Sequence, residues 1–532
     1  MISSRTTPSN LKTYPMNRLR PVYLFLLTTL LLVTQIQSSH GSEPESSGEL
    51  VKKKPTVVFI TGDDEYRSRE IMLPFAKKLE EDYGFKVIYL KDEAPDAHHK
   101  REPSVLAGAE QIKDADLLVL FMRFRSWEPK SLKLFMDHFE AGKPAVGIRT
   151  STHAFWEDKT FSPIYFGGHY KNHPHRQIVC QINPGCFDHP IARGVDRKFT
   201  ENEGPYLSTP LTEGATPILL AYGTGKRDPQ NILADDAFDS PTTPVACTFQ
   251  HNGGRRAMIT LMSYRVESHL KPYSQNLFYN SVFWALGYDV PEKGVLAEGR
   301  EIAIRKESKP YQESQRTYPA PPAYQLPQGW KSLFSGTDLD QWKHYDYLSV
   351  EPLLQGLDLR ATTVAPIDMS KSPARWQIQN NAVVARVGYG DIITRKSYKN
   401  FQLHLDVLAP EEPEWVRNEW KGNSGIYLHG SYEIAISNSY GQAASERSNG
   451  AIYRQTAPLM EASRQAGQWQ SYDITLKDGH VTVLLNGKEI HHDVELKDKT
   501  LYGFPVTGSG PIRLQGECSA VRFANIAIQE IQ

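Results

Sequence analysis

From Pro55 to about residue 290, short apolar runs alternate with stretches whose apolar positions recur every three or four residues. "PTVVFITG", "FKVIYLKD", "ADLLVLFM" and "KPAVGIRT" are apolar runs of strand length, and they predict buried strands. "SREIMLPFAKKLEEDYG" and "EPKSLKLFMDHFEAGK" carry the helical period, and Gly84 ends the first of them. Strands without a polar face, separated by amphipathic helices, predict a parallel sheet covered on both sides. Ligands of such sheets bind beyond the carboxyl ends of the strands. That would place "GDDEYRSRE" (62–70), "RFRSW" (123–127) and "RTSTHAFW" (149–156) on one rim.

The pattern changes at residues 291–328, which include the proline-rich "ESKPYQESQRTYPAPPAYQLPQG" and predict a semi-rigid linker. From Trp330 onward short runs with period two dominate. "SYDITLKDGHVTVLLNGKEIHHDVEL" holds two hairpin signals, at Asp478-Gly479 and Asn486-Gly487. Strands of this kind predict a β-sandwich over 329–532. Period two also sorts the polar side chains by face. Tyr427 is paired with His429, Glu433 with Ala435 and Ser437, Arg513 with Gln515 and Glu517, and Tyr453 with Gln455. These faces are either ordinary wet surface, which antiparallel sheets show everywhere, or the lining of one concave site.

The chain has 532 residues, too many for one core. Sixty basic residues against 61 acidic ones argue against a general nucleic-acid binder. Residues 1–41 contain "MNRLRPVYLFLLTTLLLVTQIQSSHG": a basic start, an apolar run from Val22 to about Ile36, and small residues before a cleavage point after Gly41. The run is shorter than the roughly 20 residues of a membrane span. An exported protein, periplasmic or extracellular, with a short polar tether at 42–54 is expected. Export would permit a disulfide between Cys180 and Cys186. Cys180, Cys186, Cys247 and Cys518 form no CxxC pair, and no calcium-loop spacing occurs, so no metal or cofactor is expected.

"VVFITGDDEYRSRE", "GKPAVGIRTSTHAF", "GGHYKNHP", "DHPIARGV" and "NSVFWALG", in this order across 55–290, resemble the ThuA (trehalose utilisation) family. That family is similar in fold to class I glutamine amidotransferases, which implies a flavodoxin-like α/β domain. Amidotransferases carry a cysteine nucleophile at the strand-to-helix turn where this chain has Arg149, so thiolate amidotransfer is not expected. The rim retains Asp64, Glu65, Arg67, Arg149, His153 and His169, groups suited to a polyhydroxylated or anionic small molecule. Glu65 and Arg67 equally suit the start of the following helix, where charged side chains cap and pair.

"GWKSLFSGTDLDQWK", "NSGIYLHGSYEIAISNSYG", "GAIYRQTAP", "WQSYDITLKDGHVTVLLNGKEI" and "GPIRLQGECSAVRFANIAIQEI" resemble the 3-keto-disaccharide hydrolase family. The resemblance implies a concanavalin-like jelly-roll sandwich that cleaves glycosides oxidised at C3. A C3 carbonyl acidifies the C2 hydrogen, so a base, an enolate stabiliser and a donor to the leaving oxygen suffice. On this reading Glu433 and His429 are the candidate bases and Arg513 the stabiliser. Tyr427, Tyr453, Gln455, Gln515 and Glu517 contact the sugar. Relatives tend to carry glutamine and aspartate where this chain has Ala435 and Asn438, histidine near Glu517 or Cys518, and arginine at Ala524. The alternative reading is therefore a lectin-like module that binds sugar without turnover.

Overall fold

A computed structural model describes residues 48–94, 102–156, 158–170, 178–201, 206, 208–223, 243–262, 266–309, 317–345, 373–416, 421–497, 508–516 and 519–532. The expected signal peptide, most of the tether, Glu517 and Cys518 lie outside the described residues.

The apolar runs form the expected strands β1 (Thr56–Gly62), β2 (Lys86–Lys91), β3 (Leu117–Met122) and β4 (Ala145–Ile148). They are followed by β5 (Ile178–Ile182), β6 (Lys198–Glu201), β7 (Thr216–Gly223), β8 (Thr243–His251) and β9 (Gly254–Ile259). One nine-stranded sheet results, in the order β2-β1-β3-β4-β9-β8-β7-β5-β6. Only the first five strands are parallel; β8, β7, β5 and β6 join antiparallel. The sheet is therefore mixed. The switch is made by the β8–β9 hairpin, whose turn residues Asn252 and Gly253 have φ of 49° and 80°. An Asn-Gly pair suits that left-handed turn and was the legible signal for it.

The expected helix over 68–84 is two helices, α1 (Ser68–Ile71) and α2 (Leu73–Glu81), joined at Met72. Pro74 near the start of α2 has no N–H to offer Glu70, which breaks a continuous helix there. The helix α3 (Pro129–Glu140) begins at Glu128, whose side chain accepts from the Ser131 N–H. Side chains alternate across β1. Val57 and Phe59 pack with Phe75 and Phe278 on one side, and Val58 and Ile60 pack with Leu118, Phe135 and Phe139 on the other. Both faces are dry, as the continuous apolar runs required. Cys180, Cys186 and Cys247 are buried thiols, so the Cys180–Cys186 disulfide is not formed.

The C-terminal half holds β10 (Lys331–Ser332), β11 (Trp342–Tyr345), β12 (Gln377–Gln379), β13 (Ala382–Val384), β14 (Asp391–Thr394), β15 (Phe401–Leu408) and β16 (Ser424–Leu428). It continues with β17 (Tyr432–Ile436), β18 (Gln470–Lys477), β19 (His480–Leu485), β20 (Lys488–Glu495), β21 (Arg513–Leu514) and β22 (Arg522–Glu530). An eight-stranded sheet follows the order β12-β13-β22-β15-β18-β19-β20, with β10 pairing β22, and a five-stranded sheet follows β11-β14-β21-β16-β17. Ile392, Ile426, Leu428, Ile434 and Leu514 of the smaller sheet join Leu403, Leu405, Ile474 and Phe523 of the larger in one core. This is the expected all-β sandwich.

The segment between the halves is packed along much of its length. Around residues 304–306 it pairs with the start of the described chain, through Val51 N–H to Ile304 O (2.9 Å) and Lys306 N–H to Glu49 O (2.8 Å). Residues 317–325 lie against the sandwich. Trp469 Nε1 donates to Pro319 O and Asn525 Nδ2 to Pro322 O, both at 2.9 Å. Tyr324 stacks on His404 with centroids 4.3 Å apart. A seam also joins the halves directly: Leu211 N–H donates to Gly388 O at 2.9 Å, and the Tyr389 hydroxyl reaches Thr212 O and Ala215 O at 3.0 and 2.7 Å.

Candidate functional site

Cross-strand register assembles the sandwich site. Tyr427 of β16 lies opposite Glu433 of β17 on one side and Arg513 of β21 on the other. Arg513 lies opposite Ile393 of β14, and Asp391 shares that face two residues away. The opposite face of the same strands is the apolar core, so one face of the sheet carries a polar row. The Tyr427 hydroxyl donates to Glu433 Oε2 at 2.9 Å. Arg513 Nε donates to Asp391 Oδ2 at 2.6 Å, and Nη2 pairs with the same carboxylate. Asp391 Oδ1 accepts the Gly516 N–H at 2.8 Å. The Arg513 guanidinium lies between two rings, with centroids 4.6 Å away for Tyr427 and 4.7 Å for Tyr345. A cation over aromatic faces gains most when desolvated, and Arg513 is fully buried.

Gly425 is small for a stated reason. A Cβ there would sit 2.8 Å from Tyr427 Cε2 and 2.9 Å from Glu433 Oε1. Glycine at 425, opposite Ala435, thus leaves the room that Glu433 and Tyr427 fill.

The structure brings together Glu433, Tyr427 and Arg513. Gln515 follows Arg513 and is half-buried, its N–H on Gly425 O at 3.1 Å. Tyr453 adjoins by backbone, its N–H donating to Glu433 O at 3.0 Å. Two expectations change. His429 does not share the Tyr427 face, because β16 ends at Leu428 and His429 has φ 51°, which breaks the alternation. Its Nε2 meets Lys399 O at 2.9 Å and its ring packs edge-on to Phe401, a core residue. Burial lowers its pKa, which favours the neutral ring. Gln455 is engaged elsewhere: its amide donates to Glu495 O at 2.7 Å and accepts the Lys497 N–H at 3.0 Å. Asp391, which holds Arg513, was missed. Its polar side chain opens the run "DIIT", but its partner lies far along the sequence.

At the other rim, Arg149 begins a short 3-10 turn directly after β4, with φ 43°. A buried arginine in the left-handed region is strained backbone. Its guanidinium lies 3.9 Å from the Tyr206 ring centre and 5.3 Å from that of Tyr66, and Nη1 donates to Thr260 O at 2.7 Å. The Tyr206 hydroxyl donates to the Tyr66 hydroxyl at 3.0 Å. The His153 ring is 4.6 Å from Tyr170, 5.1 Å from Phe124 and 5.8 Å from Tyr206. Glu65 pairs with Arg123, which also lies 3.8 Å from Asp63. His169, half-buried, precedes Tyr170. Arg67 stands apart: it is exposed at the start of α1, makes no side-chain cap hydrogen bond, and has Glu70 at 3.9 Å. Asp64 pairs with Arg69. Tyr66, Arg123, Phe124, Tyr170 and Tyr206 were missed as site residues. The first three lay within segments assigned to the rim, but only the fold shows the side chains brought together.

Residues 329–529 match the family model of the 3-keto-alpha-glucoside-1,2-lyase-like domain. No curated protein matches the chain. A solved structure described as a candidate glycosyl hydrolase, from Parabacteroides distasonis ATCC 8503, is 27% identical, covering 41% of this chain and 95% of its own, with TM-score 0.30. A candidate ThuA-like protein from Bacteroides uniformis ATCC 8492 is 16% identical, covering 45% of this chain and 95% of its own, with TM-score 0.33.

Proposed function

We propose that the C-terminal sandwich cleaves 3-keto-glycosides by elimination across C1 and C2. The observation that carries this reading is the row Glu433, Tyr427, Arg513, Asp391 on one face of the five-stranded sheet. Glu433 takes the C2 proton, and the C2–H electron pair becomes part of an enolate whose negative charge rests on the C3 oxygen. Arg513, aimed by Asp391 and held against Tyr345 and Tyr427, is fully buried, so it favours that charge through its field and does not touch the C3 oxygen. The enolate then expels the aglycone: the C1–O bond breaks, its electrons leave with the oxygen, and the proton held at Glu433 returns to that oxygen. Tyr427 orients Glu433 through its hydroxyl. Water adding to the C1–C2 double bond completes a net hydrolysis. The 1,2-lyase in the description of the matching family names this bond change, which supports the reading for residues 329–529.

Turnover of a 3-keto-α-glucoside by the full chain tests it. Losing a positioned base costs about 100- to 10,000-fold in rate, so Glu433→Gln should lower turnover by that factor while binding persists. A variant that keeps more than about a tenth of the rate excludes Glu433 as the base. The lectin-like reading is favoured by one observation, the absence of a polar side chain at Ala435. Binding of glycosides by the wild type with no turnover would replace the first reading with this one.

A further inference from the structure

We propose that the cavity where the two halves and the proline-rich segment meet is a binding site for a small monocarboxylate with an apolar body, and that Arg522 supplies its counter-charge. The sandwich contributes to this cavity from its larger sheet, whereas the row at Glu433 and Arg513 lies on the five-stranded sheet. The proposal does not rest on the reading of that row.

Three features carry the assignment. The first is space. A cavity of about 510 Å³ is walled by Pro184 and Pro217 of the N-terminal half, by Tyr318 of the segment between the halves, and by Ile378, Val384 and Arg522 of the sandwich. Small-molecule sites span roughly 300–1,000 Å³ and favour the boundaries between domains. The two prolines, Ile378 and Val384 give the cavity apolar sides, so the part of a ligand lying against them is apolar.

The second feature is a buried cation that the chain leaves unmatched. Arg522 is 7% exposed. Among the described residues no carboxylate pairs with it. Its Nη2 donates to the neutral Gln379 Oε1 at 3.0 Å, its Nε has no partner, and its guanidinium lies 4.4 Å from the centre of the Tyr318 ring. Burial lowers its pKa, and only Tyr318 opposes that. Buried arginines are ordinarily paired, as Arg513 is with Asp391. An unpaired one costs stability, and a carboxylate carried in by a ligand offsets that cost. The third feature is the charge on the other walls. Arg386 also lines the cavity, 3.6 Å from the centre of the Tyr389 ring, but Glu213 already pairs with it at 2.8 Å. Glu412 is the one carboxylate among the described lining residues, and it accepts from Ser519 Oγ at 2.6 Å. One arginine therefore lacks a carboxylate, which suits a single negative charge. A dianion would carry its second charge unmatched beside Glu412, and a neutral molecule would leave Arg522 as it is.

Calorimetric titration of the full chain with sodium benzoate tests the proposal, with benzamide as the neutral isostere and inorganic phosphate as the anion without an apolar body. Benzoate should bind at millimolar concentration or below, and benzamide and phosphate should each bind about tenfold or more weakly. Arg522→Met keeps much of the side chain's bulk and removes its charge, and it should weaken benzoate by about tenfold or more. Ala520→Trp, at an exposed position on the cavity wall, should block benzoate by filling the space, and it decides the matter alone if Arg522→Met does not fold. Benzoate should also raise the unfolding temperature of the wild type and leave that of Arg522→Met unchanged. The proposal is overturned if benzoate does not bind at millimolar concentration, if a folded Arg522→Met or Ala520→Trp binds it as the wild type does, or if benzamide or phosphate binds as tightly.

Discussion

The buried pair between Asp391 and Arg513 makes the most quantitative prediction. Asp391 is 2% exposed and Arg513 is fully buried. The carboxylate is completely used, by Arg513 on one oxygen and the Gly516 N–H on the other. Asp391→Asn keeps the shape and can still accept one hydrogen bond, but it leaves the guanidinium without its counter-charge. Stranding one partner of a buried pair costs about 3–5 kcal/mol, against about 0–1 kcal/mol for an exposed pair. Urea unfolding of the full chain, followed by circular dichroism of the sandwich strands, should register that loss. Arg513→Met should cost a similar amount, because it strands Asp391 instead. The double variant Asp391→Asn/Arg513→Met should lose much less than the sum, since neither charge remains, and the cycle isolates the pair. If Asp391→Asn unfolds within about 1 kcal/mol of the wild type, the pair is hydrated in solution and the argument for a dry, aimed Arg513 fails.

Two further outcomes follow from the same geometry. Gly425→Ala places a methyl group 2.9 Å from Glu433 Oε1 and so displaces the proposed base; turnover should fall about 100-fold, as for a 1 Å misplacement, and unchanged turnover would show that Glu433 need not occupy its present position. Burial alone would lower the pKa of His404, yet Asp406 and Asp473 outweigh it and raise it to about 9, while the ring stacks on Tyr324. Because the folded value exceeds the ordinary 6.5, this contribution to stability is full below about pH 6.5 and is lost as the pH rises through 9. His404→Gln should flatten that part of the stability–pH profile, and an unchanged profile would refute the assignment.

The parallel strands were legible because they are dry on both faces and read as unbroken apolar runs. The antiparallel extension was not read from the sequence, although Asn252-Gly253 suits its first hairpin. In the sandwich, alternation was enough to place Tyr427, Glu433 and Arg513 on polar faces. It could not say that these faces were one, which depends on β16 pairing with both β17 and β21. His429 shows the limit of the method. A strict period of two carries past Leu428 only if the strand does, and the positive φ there turns the side chain toward Phe401. Asp391 shows another, since a lone carboxylate at the edge of an apolar run looks like a strand cap until its long-range arginine is known. At the N-terminal rim, the ionic groups were visible in sequence, but the aromatic rings beside them were not, because Tyr66, Phe124, Tyr170 and Tyr206 come from four separate loops.

The seam at Leu211 and Gly388 limits how freely such chains can be recombined. A backbone bond, the hold of Tyr389 on Thr212 and Ala215, and the Arg386–Glu213 pair tie a loop of one half to an arch of the other. Grafting another protein's sandwich onto this N-terminal half would leave those loop carbonyls without Tyr389. A working chimera would have to carry the stretch 208–215 across with its matching arch 386–389, so the boundary for exchange runs around the seam and not through the proline-rich segment.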